Sequence, residues 1–395
     1  MATPAVSLIV TTYQMPAHLE RVLAAVERQT MADRLEVIVS DDGSTDETRD
    51  VVQRFAAGAK FSVKFVTRPH EGFQLSRTRN EGVRQATAPH LVFLDGDCLI
   101  EPDHVEQHLQ AWRPQRVTNT YCVRLEQAAS ERITVESARS GEYLQAVPKR
   151  ELRKLWMMQL KAWWYRGIGH ARRPTLRGGN MGIARADYER VNGYDERFKA
   201  WGKEDDDLGM RLRAVGIKVD YILHRTRTYH LWHPPASSKP QKYKEGENYA
   251  YLFRKNRLTR CLAGLQTRTP ADVRVRLMGR AAENAEAIRW VQGAGCQIVH
   301  YGQQTVDVEL ALASDVRFSR ECDCRLLFVD GDTGQLAASG KPADIVFSAD
   351  GLLGFDHQVR LPLHELARFY AAIGFADPVG ELVGRTSPAQ RRTAA

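Results

Sequence analysis

Several things are missing from this chain of 395 residues, and each absence removes a class of protein. No apolar run approaches the ~18 residues that a membrane-crossing helix needs. The opening MATPAVSLIVTTY has no basic stretch ahead of an apolar core and cleavage site, so no secretory leader is expected. Six cysteines (Cys98, Cys122, Cys261, Cys296, Cys322, Cys324) form no CxxC pair and keep no regular spacing, which argues against a disulfide scaffold or a structural zinc and for reduced thiols. A GxGxxG loop and a Walker A lysine loop are both absent, so the dinucleotide and P-loop forms of α/β architecture lose support. Basic residues are dispersed and carry no recognition motif, so no nucleic-acid partner is expected. What remains is a cytoplasmic protein, at most peripheral on the inner face of a membrane.

What is present starts with composition: 43% apolar residues allow a full core, and a net charge of +8 suits an anionic partner such as nucleotide phosphates or an acidic membrane surface. The organising stretch is HLVFLDGDCLIE, residues 90–101. Leu91 to Leu94 form an unbroken apolar run, as in a strand buried on both faces of a parallel sheet, and it delivers Asp95 and Asp97 around Gly96. Two carboxylates at the carboxyl end of such a strand, with a glycine allowing close approach, point to a divalent cation; the competing reading is an Asp-Gly turn.

The same pattern recurs along the first third. Val6 to Val10 predicts a strand ending at Thr11, Thr12 and Tyr13, and Leu19, Val22, Leu23 and Val26 mark a helix. Leu35 to Val39 predicts a second strand ending in SDDGSTDET, which places Asp41 and Asp42 beside the first acidic pair and gives Ser44 and Glu47 capping-box spacing. A strand over 61–66, a helix over 75–86 and the strand at 91–94 complete four strands alternating with three helices, the pattern of a doubly wound sheet. A strand is expected within 117–125. Pro148 to Arg177 is rich in tryptophan and cations, and two readings stay open: a helix lying in a membrane interface, or a core helix with a solvated cationic face.

Leu176 to Arg185, LRGGNMGIAR, brackets Asn180 with glycines and permits close backbone approach to a bound group. WGKEDDD then places Glu204, Asp205, Asp206 and Asp207 in the first turn of a helix, more acid than capping requires. The helix field would keep a carboxylate there ionised, as a general base must be. His230 and His233 flank Trp232 before a double proline and are candidate metal ligands.

In order and spacing, the opening strand with TTY, SDDGSTD, GFQLSRTRNEG, LDGD, RGGNMGIAR and WGKEDDD resemble family 2 inverting glycosyltransferases with the GT-A fold, over roughly Val6 to Pro235. The last three segments are similar to bacterial chondroitin polymerases and animal galactosyltransferases. The resemblance implies a GT-A, Rossmann-like, doubly wound mixed sheet at 1–265. It implies that Thr11, Tyr13, Asp41, Asp42, Arg79, Asp95, Gly179 and Asn180 bind a nucleotide-sugar, with a UDP-sugar as the expected donor. Asp97 would ligate Mn²⁺ or Mg²⁺ together with His230 or His233, His230 being favoured. Asp205 would be the catalytic base with Glu204 beside it, and Trp201 and Gly202 would meet a glycan or lipid-linked acceptor. Surface polysaccharide or lipopolysaccharide synthesis is the implied setting. Glu286-Ala-Ile-Arg289-Trp290 looks like the Gln-x-x-Arg-Trp of membrane synthases but starts with glutamate, and is read as a coincidence in a helix.

After a linker at 265–270, alternating helix and strand signals predict a small α+β domain at 266–380, ending in a helix over 364–373, with a disordered tail over 381–395. Asp330-Gly331-Asp332 there reads as a hairpin turn rather than a second metal site. The rival functions are a nucleotidyltransferase, which lacks its glycine-rich phosphate loop here, and a non-catalytic glycan-binding protein on the same fold.

Overall fold

In the computed structural model the described residues are 3–170, 172–235, 246–253, 257–301, 306–319, 322–329, 345–348, 351–353 and 360–361. They fall into two units, Met1–Asn248 and Tyr249–Ala395. The turn at Asp330 to Asp332, the helix over 364–373 and the tail over 381–395 lie outside the described residues.

The first unit begins as the hydrophobic pattern predicts. β1 (Val6–Thr12), α1 (Pro16–Val26), β2 (Leu35–Asp41), α2 (Thr48–Gly58), β3 (Ser62–Thr67), α3 (Leu75–Gln85) and β4 (His90–Asp95) alternate. Every residue of β1 and β2 is buried, because helices cover both faces of the sheet. Leu19, Val22, Leu23 and Val26 form the buried stripe of α1. Ser44 and Glu47 do not make the capping box over α2: the Ser44 hydroxyl donates to Asp41 instead, and Asp46 Oδ1 accepts from the Thr48 backbone N–H at 3.0 Å.

Then come β5 (Cys98–Ile100), α4 (His104–Ala111), β6 (Arg116–Asn119), β7 (Cys122–Arg124), α5 (Gln127–Glu131), α6 (Val135–Ser140), α7 (Lys149–Gly167), β8 (Asn180–Ala184), α8 (Arg185–Arg190), α9 (Glu204–Ala214), β9 (Lys218–Tyr221), β10 (Thr228–His230) and α10 (Glu247–Leu252). The single strand expected within 117–125 is two, β6 and β7, placed in different sheets. The glycine-bracketed stretch at 176–185 is not all loop: Asn180 to Ala184 enters the sheet as β8.

The main sheet runs β3-β2-β1-β4-β8-β6-β9. β1 to β4 are parallel, and β8 is antiparallel to both β4 and β6. Since β2 and β3 build outward on one side of β1 and β4 on the other, the strand order reverses between β1 and β4. That is where a crevice opens at the carboxyl ends of a doubly wound sheet. A small sheet, β5-β10-β7, stands beside it.

The second unit contains β11 (Arg274–Leu277), α11 (Ala285–Gly293), β12 (Gln297–Ile298), β13 (Val308–Leu312), β14 (Cys324–Val329), β15 (Ile345–Ser348), β16 (Gly351–Leu353) and β17 (Arg360–Leu361). β12-β11-β13-β14-β15 are parallel, and β16 and β17 continue the sheet antiparallel. Trp290 of α11 packs edge-on against Phe328, 4.3 Å between ring centroids, within an apolar core. Leu258 and Leu262 lie in that core outside any helix.

Candidate active site

The carboxyl ends of β1, β2 and β4 bring the amino-terminal polar residues together. Gly96 is required at the turn after β4: its N–H donates to Thr11 O at 2.7 Å, and a Cβ would lie 2.8 Å from that oxygen. Thr11 Oγ1 donates to Asp95 Oδ1 at 3.3 Å.

Asp41 and Asp42 follow one another at the end of β2 and therefore diverge. Asp41 accepts from the backbone N–H of Gly43 and Ser44 and from the Thr67 hydroxyl at 2.6 Å, which ties the ends of β2 and β3 together. Asp42 pairs with Arg68 and accepts from Thr78 Oγ1 at 3.2 Å. Burial pushes its carboxyl up, against the pull of the Arg68 guanidinium. His70 lies with Nδ1 2.8 Å from the Asp42 carbonyl and stacks on Tyr13 at 4.3 Å, leaving Tyr13 more than one third exposed.

Arg79 joins the two halves of the site. It lies on α3, almost fully buried, and donates to Asp95 Oδ1 at 3.1 Å, to Asp205 Oδ1 at 3.0 Å and to the Tyr194 hydroxyl at 3.2 Å. The Tyr194 hydroxyl also donates to Asp205 Oδ1 at 3.0 Å. Both protein donors to Asp205 end on one oxygen.

The four acids opening α9 have separate fates. Asp207 is buried against Arg211 at 2.7 Å, and Arg211 in turn donates to the carbonyls of Val191 and Gly193. Asp206 meets Lys203 at 3.4 Å. Glu204 is buried 3.6 Å from Arg79, and burial first, then the Asp205 charge, pushes its carboxyl up to about 8. Asp205 keeps about a quarter of its side chain exposed beside Arg79.

Gly178 and Gly179 line this centre because nothing larger fits. A Cβ on Gly179 would lie 1.9 Å from Asp95 Oδ2, and one on Gly178 would lie 2.0 Å from Asp205 Oδ1. Asn180 is turned inward: Oδ1 accepts from Thr228 Oγ1 at 2.6 Å, and Asn119 Nδ2 donates to the Asn180 carbonyl at 2.7 Å. It fastens β8 to its neighbours. Trp201 and Gly202 stand on an exposed turn held by Asn248 Nδ2, which donates to the Gly202 carbonyl at 2.8 Å.

The histidines arrive through the small sheet. β10 pairs antiparallel with β5 so that His230 faces Cys98, and the Leu231 N–H donates to Asp97 O at 2.8 Å. This register sets His233 Nε2 at 3.1 Å and His230 Nε2 at 3.6 Å from Asp97 Oδ2. Both histidines thus join the cluster, with His233 nearer than the favoured His230. The bond to Asp97 raises the His233 imidazole, while Asp97 is lowered by the two imidazoles despite its burial. One carboxylate and two imidazoles, with ligand atoms within 4.8 Å of one another, are a donor set that would hold a divalent cation.

Arg68, His70, Asn119 and Tyr194 were not singled out from the sequence. Arg68 and His70 had a signal, since TRPH follows a strand parallel to the two acidic ones and opens on the same edge. Asn119 and Tyr194 had none.

Fold and site together define a doubly wound α/β domain with its polar centre at the switch point of the sheet. Residues 7–170 match the model of glycosyl transferase family 2, and residues 169–234 match that of the N-terminal domain of galactosyltransferase. Over the first of these segments the chain is similar to glycosyl transferase family 2. It is 34% identical over 239 residues to a validoxylamine A glucosyltransferase of Streptomyces hygroscopicus subsp. jinggangensis, covering 55% of this chain and 53% of that protein. It is 24% identical over 271 residues to a chondroitin synthase of Pasteurella multocida, covering 63% and 28%. Among solved structures, a mannosyltransferase from Pyrobaculum calidifontis in complex with GDP-Man and Mn²⁺ aligns with TM-score 0.42 and 18% identity over 65% of this chain and 62% of that one. The chain spans about half the length, or less, of the curated relatives it matches.

Proposed function

We propose that the first unit transfers a sugar from a nucleoside-diphosphate sugar, a UDP-sugar being the expected donor, to a hydroxyl of a glycan or lipid-linked acceptor, with inversion. The observation that carries this reading is the Arg79 clasp, which holds Asp95 and Asp205 on either side of one guanidinium while Asp97 faces His230 and His233. Asp97, His230 and His233 are the residues that would hold Mn²⁺ or Mg²⁺. Bound there, the cation supplies positive charge where negative charge builds on the leaving diphosphate.

The remaining steps are assigned to the chain's own groups. Tyr13, stacked on His70, offers an aromatic face to a base, and Asp42 with Arg68 closes the same corner. Asp205 takes the acceptor proton on Oδ2, because Oδ1 is occupied by Arg79 and Tyr194. Glu204, raised to about 8, is protonated at neutral pH and therefore serves as a neutral wall rather than as the base. One base on the acceptor side suffices for a single displacement, since a diphosphate leaves without being protonated. Trp201 and Gly202 border the acceptor side. A cytoplasmic setting in surface-glycan synthesis, with peripheral membrane contact, completes the proposal.

The deciding experiment is a thermal-shift panel of UDP-, GDP-, CMP- and dTDP-sugars with and without Mn²⁺ or Mg²⁺. A UDP-sugar is expected to raise the melting temperature only with metal present, and Asp97→Ala to abolish the rise. Silence across the whole panel would sink the donor-site assignment.

A further inference from the structure

α7 (Lys149–Gly167) separates its two faces cleanly. Leu155, Gln159 and Ala162 are buried, and the helix packs against the edge strand β9, with Gln159 Oε1 accepting from the Leu223 N–H at 2.8 Å. The opposite arc carries Trp156, Met157, Leu160, Trp163 and Trp164, continued by Ile168, with exposures from 37% at Trp163 to 63% at Met157. These are six of the eleven large apolar side chains exposed among the described residues, gathered within thirteen positions. A core helix with a solvated cationic face would have the reverse arrangement on its outer side. The helix also carries six cations against one carboxylate, Glu151, which is itself mostly covered and 3.3 Å from Lys154. Lys154 and Lys161 flank the apolar arc on one side, and Arg150 and Arg153 stand at its amino-terminal end.

Charge chemistry chooses the occupant. Protein interfaces deplete lysine around an apolar centre, whereas bilayer interfaces favour tryptophan at headgroup depth with lysine and arginine beside it. No helix among the described residues is long and apolar enough to cross a membrane, so this helix lies on a surface rather than through one. We propose that the outer face of α7 docks the protein onto a bilayer containing anionic lipid, with Trp156, Leu160, Trp163 and Trp164 in the headgroup region and Lys154 and Lys161 against the phosphates. β9 is the edge of the main sheet farthest from β3. Docking there places the β9 edge, against which α9 also packs, near the membrane and the β3 edge away from it. The inference deepens the reading of a lipid-linked acceptor, but it is tested without donor, acceptor or metal.

The test is co-sedimentation of the full chain with vesicles of phosphatidylcholine alone and of phosphatidylcholine mixed equally with phosphatidylglycerol, with tryptophan emission recorded in parallel. Wild type is expected to pellet with the anionic vesicles and shift its emission to the blue. Trp156→Ser with Leu160→Ser and Trp164→Ser should abolish both signals. Lys154→Gln with Lys161→Gln, both on the solvent side, should keep a melting temperature close to the native one and weaken anionic partition about tenfold. Equal partition to both vesicle types overturns the anionic-lipid assignment. A wild type that stays in the supernatant with both vesicles overturns the docking surface itself. So does a wild-type dimer that the tryptophan substitutions turn into monomer, which would give this face to a second copy of the chain.

Discussion

Arg79 is the residue on which both halves of the candidate site depend. Its guanidinium is almost wholly buried and reaches Asp95, Asp205 and Tyr194, so removing it leaves two carboxylates facing each other without a cation. Arg79→Ala is expected to destabilise the unit by about 3 kcal/mol, seen as a lower denaturant midpoint, because breaking a buried ion pair costs more than the pair contributes. The same geometry separates Asp205 from its neighbours. Asp205→Asn should bind donor and metal as the parent does in the thermal-shift assay, while transfer falls by about a hundredfold or more. Transfer retained in that variant would return the base to Glu204 or Asp206. The types of residue at this centre were legible in the sequence. That one arginine holds the two acids was not, since their contact depends on the docking of α3 and α9.

Among the elements, β8 contributes a constraint that a reading of loops overlooks. Gly179 precedes it where the backbone passes against Asp95, and a single methyl group would require that carboxylate to move. Gly179→Ala is expected to leave folding intact and to lower transfer by about a hundredfold, the scale of a misplacement near 1 Å at reacting groups. Gly58→Ala serves as a control: a Cβ at the end of α2 meets nothing within 4 Å, so transfer should be unchanged and stability should rise by about 1 kcal/mol or less. The strands and helices from β1 to β4 were readable because burial on both faces and helical periodicity each leave their own spacing in a sequence. β6 and β7 were legible only as one strand and β8 not as a strand at all, because they are short and their partners lie far along the chain. Register, rather than composition, assigned β7 to the small sheet and β8 to the gap between β4 and β6.

Across the whole molecule, two of the raised carboxyls set an expectation for stability against pH. Glu204 rises from an ordinary 4.5 to about 8, and Asp323 in the second unit from 3.8 to about 6, burial being the first cause in each. A carboxyl raised on folding contributes its full stability below its unfolded value and loses it as pH climbs through the folded value. These two groups therefore weaken the fold as pH climbs from about 4 to 8, while His104 and His108, held low by burial, act in the opposite sense below about 6.5, so Glu204→Gln should flatten the decline seen by denaturant titration above that pH. An unchanged slope in the variant would remove Glu204 as the source.

The amino-acid sequence by itself determined the class of the first unit: a buried parallel sheet, acids at the ends of β2 and β4, an acidic helix start and two late histidines, because local spacing encodes burial and turn chemistry. Tertiary structure alone decided which acid does what. Asp41 closes a turn while Asp42 meets Arg68, Asp207 locks onto Arg211 while Asp205 faces Arg79, and His233 approaches Asp97 more closely than His230 does. Neighbours in a sequence share a composition, but on a strand they face opposite ways and on a helix they diverge by about 100°. Only strand register and helix docking settle which of them face the crevice.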